Sequence, residues 1–107
     1  MAARALINVP KTARHGEIIE IRALIAHPME TGYRVGTTGA PIPRNIIHRF
    51  VCTYDGEEIF AADLYPAISA NPFLAFTTTA TKSGTIAFAW TGDDGTTQTA
   101  SAEIAVT

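Results

Sequence analysis

Cysteine is nearly absent from the chain, and Cys52 has no second cysteine to pair with, so no internal disulfide can form. The fold must therefore be held by packing, and with 47% hydrophobic residues a core can be built without metal or disulfide. Strong net charge is also lacking. The formal value is −2, which argues against nucleic acid as a partner. No apolar run approaches the ~20 residues that span a bilayer. The start, MAARALINVPK, lacks the apolar core of a signal peptide. Helical periodicity of 3.6 is missing throughout.

What the sequence has instead is short alternation, punctuated by Gly, Pro and Asp. ALINV sets Ala5, Ile7 and Val9 on one face. EIIEIRALIAH sets Ile19, Ile21, Ala23 and Ile25 against Glu20 and Arg22. IIHRFVCTY groups Ile46, His48, Phe50, Cys52 and Tyr54, with Ile47, Arg49, Val51 and Thr53 opposite. EEIFAAD follows across a DG hairpin signal. FLAFTTTA, GTIAFAWT and TQTASAEIAV complete the series, the last two separated by DDG. About seven short strands in 107 residues predict a single all-β domain over 1–107, an antiparallel β-sandwich of immunoglobulin-like kind.

Two stretches do not alternate: Pro28–Pro43, and Leu64–Pro72. Long loops in a small domain are where binding concentrates. HPMETG opens the first of them. Its residues His27, Pro28, Met29, Glu30, Thr31 and Gly32 read equally well as a turn that serves the fold and as a loop gripped by a partner. PIPRNIIHRF favours the partner reading. There Arg44 and Arg49 flank Ile46 and Ile47, which are expected to stand exposed, and Arg with aliphatic anchors is an interface composition. The charge is polarised as well. Residues 1–53 carry a net +4 and residues 54–107 a net −6.

Catalytic constellations find less support. His48 and Cys52 lie four apart on one strand, so their Cα atoms stand ~13 Å apart and cannot share one ion through bonds of ~2 Å. Cys52 sits mid-strand among apolar neighbours and reads as a buried thiol rather than a nucleophile. Trp90, in step with Ile86 and Phe88, reads as a core anchor. The acids cluster at turns (Asp55, Glu57, Glu58, Asp93, Asp94), where solvation accounts for them. Phosphate loops, dinucleotide fingerprints and nucleophile elbows have no counterpart in the chain.

Four segments in fixed order, VPKTARHGEIIEIRALIAHPMETGYR, IPRNIIHRFVCTYDG, PAISANPFLAF and FAWTGDDG, resemble the SoxZ family of bacterial sulfur oxidation. The resemblance runs from about Ile7 to the C-terminus. It implies an immunoglobulin-like sandwich without catalytic residues, cofactor or metal. It implies a heterodimer with SoxY, whose Gly-Gly-Cys-Gly-Gly arm carries the sulfur substrate covalently. Transient contacts with SoxAX, SoxB and SoxCD are implied too, as is periplasmic placement by export together with SoxY. This chain ends AEIAVT, without a glycine-flanked cysteine, so it resembles the half that bears no substrate. On that footing the expected partner interface is His27, Pro28, Met29, Glu30, Thr31, Gly32, Arg44, Ile46, Ile47 and Arg49. At least one of Arg34, Arg44 and Arg49, with Arg49 favoured, is further expected to face the base of the SoxY arm, either biasing the anionic loaded arm or pairing with an acid on SoxY. Isolated from its partner, the subunit is expected to self-associate. The rival readings are a free-standing immunoglobulin-like module that binds protein or sugar, and a thiol enzyme using Cys52 with His48.

Overall fold

The computed structural model describes residues 4–107. They form eight strands and no helix: β1 (Ala5–Asn8), β2 (Thr12–Ala13), β3 (Ile18–Ile25), β4 (Ile47–Tyr54), β5 (Glu57–Asp63), β6 (Phe73–Thr79), β7 (Gly84–Gly92) and β8 (Thr97–Val106). One sheet has the order β1-β3-β6, the other β2-β8-β7-β4-β5. Every pairing is antiparallel except β2 on β8. The all-β sandwich is thus the observed fold. The strand beyond the anticipated seven is β2, which at two residues is too short to show alternation.

Alternation explains most of the core. In β3, Ile19, Ile21, Ala23 and Ile25 are buried, while Glu20 and Arg22 face water. Phe50 occupies the centre, with ring centroids 5.4 Å from Trp90 and 6.2 Å from Phe88 and Phe76. Phe60 of β5 stacks on Phe76 of β6 at 4.3 Å, joining the two sheets along one side of the sandwich. Cys52 is fully buried in this cluster. Burial pushes its thiol up to about 12, so it stays protonated and inert at neutral pH.

β4 departs from simple alternation at its start. Ile47 pairs with Gly92 and Arg49 with Thr91, so His48 is an extra residue, a β-bulge. The bulge changes the phase of the strand. Ile47, placed by strict alternation on the outer face, turns into the core, and Ile46 before it is buried too.

The connections sort the molecule into two ends. Residues 55–56 and 80–83 close one end, called here the hairpin end. Asp55 and Gly56 both take positive φ, 49° and 83°, as a two-residue hairpin turn demands. The Tyr54 hydroxyl donates to the Lys82 carbonyl and accepts from the Lys82 N–H at 3.2 Å. Residues 26–46, 64–72 and 93–96 all emerge at the opposite, loop end.

Candidate protein-interaction site at the loop end

The stretch 26–46 is an irregular hairpin arm. Glu30 and Asn45 exchange backbone hydrogen bonds of 2.9 and 2.8 Å. Further out, the Ile42 N–H donates to the Arg34 carbonyl at 2.8 Å and the Gly36 N–H to the Ala40 carbonyl at 2.9 Å. Gly32 has φ 89°, and a Cβ there would lie 3.1 Å from Arg44 Cβ. The arm therefore needs glycine both for its turn and for the close approach of its two limbs.

The arm is anchored at its root. Met29 adopts φ 52°, uncommon for a bulky residue, and its side chain is buried with the Ile47 N–H 3.3 Å from Sδ. His27 Nδ1 accepts the Met29 N–H at 3.0 Å. The His27 N–H and carbonyl bond Asn71 Oδ1 and N–H at 2.9 and 2.7 Å, which ties the arm to the 64–72 loop.

Asp93 is the second anchor. It accepts two bonds from Arg44, at 2.8 and 3.0 Å, and one from the Ile46 N–H at 3.1 Å, with His48 Nδ1 3.2 Å away. Partial burial raises the pKa of Asp93, but the Arg44 fork and the Ile46 N–H outweigh it and hold the carboxyl below its ordinary value. Asp94 is also lowered, first by Thr96, whose hydroxyl and N–H both bond it.

The sequence-predicted residues divide under this geometry. His27, Pro28, Glu30, Thr31, Gly32 and Arg44 come together at the root and base of the arm. Met29, Ile46 and Ile47 share that region but point inward. The expectation that Ile46 and Ile47 stand exposed is corrected: they are 0% and 4% exposed, because the bulge at His48 turns Ile47 in and the Asp93 anchor seats Ile46. Met29 likewise packs in the core and does not offer its thioether to a partner. Arg49 lies on the outer face of the five-stranded sheet, where it bonds Asp63 at 2.9 Å. Arg34 is held by Glu30, whose pKa that bond lowers. All three arginines singled out for an anionic arm thus already have carboxylate partners within the chain. Reading the turn acids as merely solvated is corrected for Asp93, for Asp94, which Thr96 bonds, and for Asp55, which accepts the Thr85 N–H at 2.8 Å.

What sequence reasoning missed is apolar. Seven large hydrophobic side chains are exposed among the described residues: Leu6, Ile18, Tyr33, Val35, Tyr65, Ile68 and Phe73. All but Ile18 lie at the loop end, on the arm, on the 64–72 loop or on the adjoining starts of β1 and β6. Tyr33 near the arm's tip is 84% exposed. The register sets Leu6, Leu24 and Phe73 side by side across the three-stranded sheet. The signal for this was faint, since aromatic residues in non-alternating segments are its only trace. Behind the arm a cleft of about 770 Å³ opens between Arg4, His27, Asn45, Ile47, Asp94 and Gln98. No group of three His, Cys, Asp or Glu side chains able to hold a metal ion occurs among the described residues.

Comparison with known proteins bears on the fold and the family. The family model described as "Sulphur oxidation protein SoxZ" matches residues 7–103. Solved structures of similar fold include superoxide reductase (neelaredoxin) from Ignicoccus hospitalis, 18% identical with a TM-score of 0.72 over 96% of this chain and 80% of that one. A putative superoxide reductase from Thermotoga maritima is 16% identical with a TM-score of 0.74, over 96% and 85%. The sulfur carrier protein SoxY from Chlorobium limicola f thiosulfatophilum is 14% identical with a TM-score of 0.68, over 96% and 78%. At such identities these likenesses show the fold alone. No curated protein matches the sequence. With nearly its whole length covered by the family model, the chain belongs to the SoxZ family of sulfur-oxidation proteins.

Proposed function

We propose that this SoxZ-family chain is the non-catalytic half of a carrier. It binds SoxY at the loop end and helps present the sulfur-loaded SoxY arm to SoxAX, SoxB and SoxCD in the periplasm, where it arrives by export with SoxY. The observation that carries the reading is the gathering of exposed apolar side chains at one end, around an arm pinned at its root and free at its tip. Monomers seldom expose such groups together, and aromatic residues of this kind make interface hot spots. Membership of the SoxZ family supports SoxY as the partner. Against the thiol-enzyme reading stands the raised pKa of buried Cys52.

Co-purification with SoxY tests the reading, with Tyr33→Ala and Val35→Asp as arm variants. Stable capture of SoxY by the parent is expected, and at least ~10-fold weaker capture by the arm variants, since hot-spot truncations cost ~2 kcal/mol or more. A parent that ignores SoxY, or arm variants that bind like the parent, would count against it. The free-standing module reading predicts the first of those results.

A further inference from the structure

The two sheets end in four edge strands, and three of them are guarded. β1 spans four residues and β2 two, and the edges they leave uncovered, residues 18–21 of β3 and 97–104 of β8, each carry a glutamate, Glu20 and Glu103. β5 is bulged against β4 between Cys52 and Thr53 and carries Glu57, Glu58 and Asp63. Short length, bulges and charge are the devices that stop an edge from pairing with another chain. β6 has none of them. Its seven residues, FLAFTTT, hold no charge and no proline, and they pair with β3 in unbroken register from Phe73 to Thr79. β-branched and aromatic residues of this kind suit a strand.

The direction of its free backbone groups follows from the bonds at its two ends. The Ile25 N–H donates to the Pro72 carbonyl, and the Ala80 N–H to the Glu17 carbonyl. Antiparallel alternation between those points aims the N–H and C=O of Leu74, Phe76 and Thr78 at β3. It aims those of Phe73, Ala75, Thr77 and Thr79 outward, and all four residues are exposed.

We infer that the β6 edge pairs with the β6 edge of a second copy of this chain, antiparallel and centred on Phe76. This register opposes Phe73 with Thr79 and Ala75 with Thr77, so every outward N–H meets an outward carbonyl, as a twofold interface requires. The outer faces match as well. The apolar row Leu6–Leu24–Phe73 runs on into Thr79 and exposed Ile18 of the second copy, since Ile18 sits beside Thr79. The row of Arg22 and Ala75 runs on into Thr77 and Glu20 of the second copy, bringing opposite charges into one row and like charges into none. The acids of β5 lie in the other sheet, ~10 Å below β6, outside the side-chain rows that this pairing aligns.

Sedimentation of the chain alone, from micromolar to millimolar concentration, tests this independently of any role with SoxY. A concentration-dependent dimer is expected. Thr77→Pro removes an outward N–H that β3 does not use, and Ala75→Glu places like charges beside the twofold axis while facing Arg22 across β3. Both spare the fold on these grounds, which an unchanged thermal melt checks. Each should weaken dimerisation at least about ten-fold. A parent that stays monomeric at millimolar concentration, or a dimer that both variants leave intact, overturns the inference. So does a chain that is monomeric alone but loses SoxY binding in Thr77→Pro, since the edge then belongs to SoxY.

Discussion

The hairpin end and the loop end are built from the same kinds of residue but spend them differently. At the hairpin end the turns are short, and the polar groups around Tyr54, Asp55, Lys82 and Ser83 bond one another or nearby strand backbone. Of the seven exposed large hydrophobic side chains, Ile18 alone lies there. At the loop end the chain spends long segments, fastens them at Met29 and Asp93, and leaves apolar side chains in water. The contrast teaches that the hairpin end serves stability, while the loop end costs stability for an exposed surface. The proposed binding of SoxY would give that surface its use.

Mutations can break or sharpen that contrast. The largest effect is expected at the hairpin end. Tyr54→Ala removes a buried ring and its bonds to Lys82, and by analogy with other aromatic truncations should cost ~3–5 kcal/mol in urea unfolding. Should this variant lose under ~1 kcal/mol, the hairpin end would not hold the role given to it.

Next comes the core between the ends. Cys52→Ser puts a hydroxyl into the aromatic cluster, where burial without a partner costs ~1–3 kcal/mol. The native thiol should resist alkylation at pH 8 until the chain is unfolded, because its pKa is pushed up to about 12. Rapid labelling of the folded protein would reopen the thiol reading.

Asp93 is the loop end's own stabiliser. Asp93→Ala frees Arg44 and the Ile46 N–H and should cost ~1–2 kcal/mol, together with faster proteolysis within residues 30–45. Its pKa is lowered in the fold, so its contribution is full above the unfolded carboxylate value of about 4. That contribution fades as pH falls through the lower folded value. Asp93→Asn should therefore flatten the acid limb of the stability profile below about pH 4. An acid limb identical to the parent's would show that Asp93 is not linked to folding.

The smallest change in stability is expected where the change in binding is expected to be large. Tyr33→Ala, at an 84% exposed position, should move stability by no more than ~0.5 kcal/mol while weakening SoxY capture. A large loss of stability would mean that the arm's tip is part of the fold after all.

Much of this molecule was legible in the sequence. Period-two alternation marked seven of the eight strands and their buried faces, because a strand that covers one side of a core must alternate. The DG pair marked the β4–β5 turn, since Asp-Gly is one of the few pairs that tolerate two positive φ values. The ordered segments ending in FAWTGDDG carried the family. What the sequence left open are interactions between residues far apart along the chain. Arg44 and the Ile46 N–H find Asp93 49 and 47 residues away, and nothing in the sequence distinguishes Asp93 from its neighbour Asp94, which bonds nearby Thr96 instead. The bulge at His48 is set by pairing with β7, and it alone reverses the facing of Ile47. Which strand becomes an unguarded edge depends on the order of strands in the sheet, a property no single strand encodes. Local periodicity fixed the elements because it acts within a few residues. The arm's anchors, the exposed apolar end and the open edge were decided only when distant segments met.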